Sequence, residues 1–160
     1  MKGELFVASV LVFLAIVLLD QVVKYWAVEV LQPIHSIPVI DGVLHWTYAE
    51  NTGAAFSMLS GQRFFLILIP LLVCAVLLCL LLSKRVSHPL GHWALVFLLG
   101  GAVGNLIDRV FHGFVVDFVD VRLINFAIFN VADIFVTVGA GMLILYLLCF
   151  SEKAEKKHDD

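Results

Sequence analysis

The sequence predicts an all-α membrane protein, with four transmembrane helices and a small extracytoplasmic β-hairpin or sheet that forms a cradle. Three observations carry this. Hydrophobic residues make up 62% of the chain and charged residues only 14%, against about a quarter charged in soluble domains. Four apolar runs approach or exceed the roughly 20 residues needed to cross a hydrocarbon core. Asp41-Gly42, a strong hairpin-turn signal, separates two β-prone runs.

The first span is expected over about residues 5–26. Leu5–Leu19 is apolar but slightly short, and continues through Asp20 to Trp26. Such a run also fits a secretory leader, but Asp20, Lys24, Tyr25 and Trp26 stand where a small-residue cleavage site belongs, so an uncleaved span is expected. The second span, 64–82, is apolar throughout, and its Pro70 is tolerable in a membrane helix. The third, 93–110, ends in Asp108 and Arg109, and the fourth, 131–150, has Asn130 and Asp133 at its start. The outer β segment covers about 34–62, with Ile37–Ile40 and Val43–Tyr48 as strands around a type I′ turn. A charged cytoplasmic tail occupies 151–160, and the whole chain, 1–160, reads as a single polytopic domain.

Orientation follows the basic residues of short loops. Lys2, Lys84, Arg85, Lys153, Lys156 and Lys157 place both termini in the cytoplasm. Residues 27–63 and 108–133, which hold Glu29, Asp41, Glu50, Asp117 and Asp120, then face outward.

Several function classes drop out. A net charge of −3 with no basic, aromatic-interleaved patch excludes nucleic acid. Cys74, Cys79 and Cys149 lie in apolar runs, an odd number that argues against disulfides, and no zinc-binding spacing is present. There is no phosphate-binding loop, no dinucleotide fingerprint, and no serine with a Lys or His base at recognisable spacing. No cofactor and no metal is expected.

What remains is a set of polar residues near the outer boundary, where each charge set deep in a membrane helix costs roughly 2.5–3.5 kcal/mol. Asp20 and Lys24 stand at i, i+4 in the favourable order for a helical pair, and mutual neutralisation with a supporting role is expected. Asn105, Asp108 and Arg109 share one helix face, next to Gly100, Gly101 and Gly104, which allow close helix packing. Structural support is the favoured reading for that face. Asn130 and Asp133 repeat the spacing at a helix start, and the pair reads as a polar site rather than a cap alone. Asn51 reads as a turn residue from its own segment. Asp117, flanked by Val115-Val116 and Phe118, is a carboxylate expected to be partly desolvated, with a loop open to water as the alternative. Asp120 is expected to pair with Arg122.

Two adjacent carboxylates do not easily both ionise, so one keeps a proton. The charged one can deprotonate water while the neutral one polarises a carbonyl, which hydrolyses an amide without metal or covalent intermediate. Asp117 and Asp133 are the best such pair.

The pieces Asp20-Gln-Val-Val-Lys24, Asn51-Thr-Gly-Ala-Ala-Phe56, Gly104-Asn-Leu-Ile-Asp-Arg109, Val115-Val-Asp-Phe118 and Phe129-Asn-Val-Ala-Asp133 together resemble bacterial lipoprotein signal peptidase, signal peptidase II, in order and over nearly the whole chain. The resemblance implies an aspartic endopeptidase of the bacterial inner membrane that removes signal peptides from diacylglyceryl-modified prolipoproteins, cutting just before the lipidated cysteine. It implies Asp117 and Asp133 as the catalytic dyad. It also implies Asn51, Asn105, Asp108, Arg109, Asn130, Asp20 and Lys24 as substrate-binding or supporting residues, and globomycin-type inhibition. A monomer in contact with membrane lipid is expected. Two other readings compete: a lipid transferase holding Mg²⁺ through Asp108, Asp117, Asp120 and Asp133, and an ion or proton pathway, against which stands the apolar 64–82 span.

Overall fold

The computed structural model describes residues 3–53, 61–83, 85–86 and 88–150. Lys2, Lys84, Ala54–Phe56 and the tail 151–160, all used in the sequence reading, lie outside the described residues.

Among the described residues, four helices are long and apolar enough to cross a membrane. Helix α1 spans Gly3–Trp26 and runs on through a π-helical segment, Ala27–Leu31. Helix α2 spans Arg63–Leu82, α3 Pro89–Phe111 and α4 Val131–Cys149. Their outer faces leave large apolar side chains uncovered, such as Leu18 at 65% and Leu148 at 80% exposure. That surface suits lipid, and the chain is an integral membrane protein.

Helix α3 is the hub: α1, α2 and α4 all pack on it, and α1 also touches α4. Glycine makes these contacts possible. A Cβ on Gly104 would sit 2.7 Å from the Asp20 carboxylate, and one on Gly101 would collide with the Ala132 carbonyl. The small face of α3 therefore brings α1 and the first turn of α4 within reach of one another's polar groups.

Three antiparallel strands, β1 (Ser36–Ile40), β2 (Leu44–Asn51) and β3 (Val115–Val121), form a small sheet in the order β1-β2-β3. The hairpin at Asp41-Gly42 forms, but its turn is not type I′. Only Gly42 has a positive φ, 69°, whereas type I′ needs it at both central residues. Val43 N–H closes the turn on Ile40 O at 3.0 Å, so the loop takes one residue more than the two-residue turn expected.

The sheet rests on the π-helical extension of α1. Ala27 and Leu31 are fully buried against Val116 and Phe118, with Trp46, Tyr48 and Ile37 packed around them. Trp46 meets Trp26 edge-on at 6.3 Å, which ties β2 to the end of α1. Register sets Ala49 opposite Asp117 and Asn51 opposite Val115, across a bulge between Trp46 and Ala49. Asp117 therefore sits on a strand rather than in an open loop, and is 2% exposed.

Candidate active site

The polar residues of four segments converge where α1, α3 and α4 meet the sheet. The start of α4 sets the geometry. Asn130 caps the helix: its side-chain oxygen accepts the Asp133 N–H at 2.9 Å, and the Asp133 carboxylate accepts the Asn130 N–H at 3.2 Å. This reciprocal capping box fixes both side chains. The Asn130 amide group is then left to donate, at 2.6 Å to Asp117 Oδ1 and at 3.0 Å to Asn105 Oδ1. One asparagine thus holds Asp117 and Asp133 together.

The remaining partners follow from which groups can only donate. Lys24 Nζ donates to Asn105 Oδ1 at 2.9 Å, so the Asn105 amide turns its Nδ2 to Asp133 Oδ1 at 2.8 Å. On the far side, Asn51 Oδ1 accepts the Gly53 N–H at 3.1 Å, which aims Asn51 Nδ2 at Asp117 Oδ2, also at 3.1 Å. Asn51 is therefore more than a turn residue. Every carboxylate oxygen of the pair receives an N–H donor.

A buried ion cluster supports this network. Lys24 lies 2.9 Å from Asp20 and 3.1 Å from Asp108, all three nearly inaccessible. Asp20 also accepts the Ala132 N–H at 2.8 Å, tying α1 to the α4 N-terminus. Asp108 accepts the Val116 N–H at 3.0 Å, which fixes β3 one residue before Asp117. The i, i+4 pair is thus one edge of a triad. Sequence reasoning missed Gln21, whose amide donates to Asp20, the Gly104 carbonyl and Asp108 at 3.1–3.2 Å. Its position next to Asp20 gave no signal, because adjacent helical residues do not share a face.

Arg109 Nη2 donates to the Gly53 carbonyl at 3.2 Å, while its buried Nε has no hydrogen-bond partner among the described residues. It lines a crevice of about 500 Å³ together with Asn51, Phe126, Phe129, Asp133 and Thr137. Asp120 stands apart from this network. Its Oδ2 takes bonds from Arg122 Nε and Thr47 Oγ1, each at 2.8 Å, so the expected ion pair is present but reinforced by Thr47 and mostly buried.

Electrostatics separate the two β3 carboxylates. Burial first, and then the neighbouring Asp133 charge, push Asp117 up to about 7, although the bonds from Asn51 and Asn130 and the Lys24 charge pull it down. Burial also acts upward on Asp120, but the bonds from Arg122 and Thr47 and the Arg122 charge outweigh it, and Asp120 lies below its ordinary value. Among the described residues no three His, Cys, Asp or Glu side chains group closely enough to hold a metal ion.

The family model for signal peptidase (SPase) II matches residues 12–149. A lipoprotein signal peptidase of Clostridioides difficile is 41% identical over 145 residues, covering 91% of this chain and 97% of that protein. One of Caldanaerobacter subterraneus is 45% identical over 142 residues, covering 89% and 96%. A solved bacterial membrane enzyme, determined by the in meso method at 2.3 Å, superposes with a TM-score of 0.81 at 35% identity, over 88% of this chain and 87% of that one. With a family model matching most of its length and relatives this similar end to end, the chain belongs to the signal peptidase II family and is a protease.

Proposed function

We propose that this protease is of the aspartic type and removes the signal peptide from diacylglyceryl-modified prolipoproteins, cutting just before the lipidated cysteine. The relatives named as lipoprotein signal peptidases support the substrate class. The observation that carries the mechanism is the bridge through Asn130, which contacts Asp117 with its amide and Asp133 with its side-chain oxygen and main chain.

The chemistry follows from the raised Asp117. In the active form Asp117, pushed up to about 7, carries the proton that the pair shares, and Asp133 acts as the base. Asp133 takes a proton from water as the oxygen attacks the scissile carbonyl. Asp117 gives its proton to the carbonyl oxygen, forming a neutral tetrahedral gem-diol. Return of the Asp133 proton to the leaving nitrogen, and of a hydroxyl proton to Asp117, breaks the C–N bond and restores the pair. No metal enters. Arg109 and Asn51, lining the same crevice, bind the substrate backbone. Asp20, Lys24, Asn105 and Asp108 hold the pair in place.

The basic loop and termini favour a bacterial inner-membrane protein with both ends cytoplasmic and the crevice near the extracytoplasmic face. A monomer and inhibition by globomycin-type cyclic peptides belong to the same reading. The test is cleavage of a synthetic diacylglyceryl-prolipoprotein peptide by the purified chain in liposomes. We expect full turnover in EDTA, and a fall of at least about a thousandfold for Asp117→Asn and for Asp133→Asn. Loss of turnover on chelation, or near-normal cleavage by either variant, overturns the mechanism.

A further inference from the structure

We infer that the Thr137 hydroxyl binds the substrate backbone on the membrane side of the cut. This rests on the reading of Asp117 and Asp133 as the reacting pair. The crevice beside α4 has four polar side chains in its lining: Asn51, Arg109, Asp133 and Thr137. The first three stand at the level of the hydrogen-bond network. Thr137 does not. It lies four residues further along α4, about 6 Å deeper toward the apolar end of the span.

Its hydroxyl also differs from that of Ser9 in α1. Ser9 donates to the Leu5 carbonyl at 2.7 Å, the local back-bond that satisfies a hydroxyl in an apolar setting. Thr137 is exposed on the crevice face of α4 and makes no hydrogen bond to the described residues, although the Asp133 carbonyl lies one turn back. An unmatched donor in lipid costs free energy, so its place in this crevice points to a partner that arrives with the substrate.

The substrate supplies one. A peptide bond accessible to two carboxylates is not part of an intact helix, so the segment just upstream of the cut is unwound. Inside the membrane, each carbonyl so released is unfavourable until it finds a donor. An extended chain advances about 3.3 Å per residue. The carbonyl that meets Thr137 therefore lies about two residues upstream of the scissile bond. One turn beyond, a Cβ on Gly141 would have no atom within 4 Å, so the same face stays open for the still-helical part of the signal peptide.

The experiment measures kcat and KM on the synthetic diacylglyceryl-prolipoprotein peptide in liposomes. Thr137→Val, which keeps the shape and removes the hydroxyl, should raise KM about tenfold and leave kcat within about twofold, because the bond is made equally in ground and transition states. The pH profile should not move. Thr137→Ser should return KM to within about twofold of the parent. A peptide with its carbonyl two residues upstream reduced to a methylene should lose the same factor against the parent and nothing more against Thr137→Val. A Thr137→Val enzyme identical to the parent, a Thr137→Ser enzyme as poor as Thr137→Val, or a loss confined to kcat overturns the inference. Failure of the parent itself to cut the peptide, or full activity in Asp117→Asn, would instead bring down the function on which it rests.

Discussion

Two crevices of nearly equal size flank α3, and only one of them is lined by the proposed reacting groups. The first, about 510 Å³, lies between α1 and α2 and is lined by apolar side chains such as Phe6, Phe13, Ala75 and Leu99. Its polar residues, Ser9 and His92, satisfy each other at 2.7 Å. The second, about 500 Å³, carries Asn51, Arg109 and Asp133, and the Arg109 Nε has no partner among the described residues. Volume does not distinguish them. What marks the second is polar groups held in place by neighbours yet left short of partners, the condition in which a substrate can supply the missing bonds. The first is a gap between helices that lipid can fill.

The largest expected effect that sharpens this contrast is on pH. In the proposed mechanism the reaction needs the Asp117 proton, and Asp117 is pushed up to about 7. Turnover should fall about tenfold per pH unit above that value, and so about a hundredfold by pH 9. Stability moves in the same direction. A carboxyl raised above its unfolded value of 3.8 contributes fully below 3.8 and loses that contribution as pH rises through about 7. Asn51→Ala removes a donor that pulls Asp117 down, so the alkaline limb should shift to higher pH. A pH–rate profile in liposomes, flat from 6 to about 9, would show that the raised carboxyl takes no part.

Filling each crevice compares them directly, with a smaller effect. Ala127 lines the polar crevice and Ala75 the apolar one. Ala127→Trp should raise KM for the lipidated peptide about tenfold by excluding substrate, whereas Ala75→Trp should leave kcat/KM within about twofold. Equal losses from both substitutions would mean that the apolar crevice also serves the reaction.

How much of this was legible in the sequence depends on the range of the contact. Local pairs were readable: Asp20 with Lys24 follows from helical spacing, and the polar pair Asn130 and Asp133 from an i, i+3 spacing at a helix start, where the structure adds a reciprocal capping box. The four apolar runs gave the spans because lipid imposes one length on all of them. Long-range pairings were not readable. Val115–Val121 is too uniformly buried to show strand alternation, so β3 carried no period, and nothing local sets Ala49 opposite Asp117. The bridge from Asn130 to Asp117 depends on that register, and sequence alone made their approach only plausible. Lys24 meeting Asp108 depends likewise on Gly104 letting α1 approach α3. The turn type failed because Asp-Gly suits several turns and the register to Leu44 chose a longer one.

The smallest effect concerns the second strand carboxylate, and it separates burial from function. Asp120 is 9% exposed and Asp117 2%, so surface exposure alone hardly distinguishes them, although Asp117 is the more deeply desolvated. Their partners do. Asp120 is matched by a cation and a hydroxyl, Arg122 and Thr47, while Asp117 has amide donors and a second carboxylate, Asp133, as a close electrostatic neighbour. A carboxylate neutralised by its own cation stays ionised and holds no proton near neutral pH. Asp120→Asn should therefore keep kcat/KM for the lipidated peptide within about twofold. Its measurable cost should be in thermal stability, about 1 kcal/mol from the weakened bonds to Arg122 and Thr47. An inactive, folded Asp120→Asn enzyme would put the proton-carrying role at Asp120 and detach the reaction from the crevice beside α4.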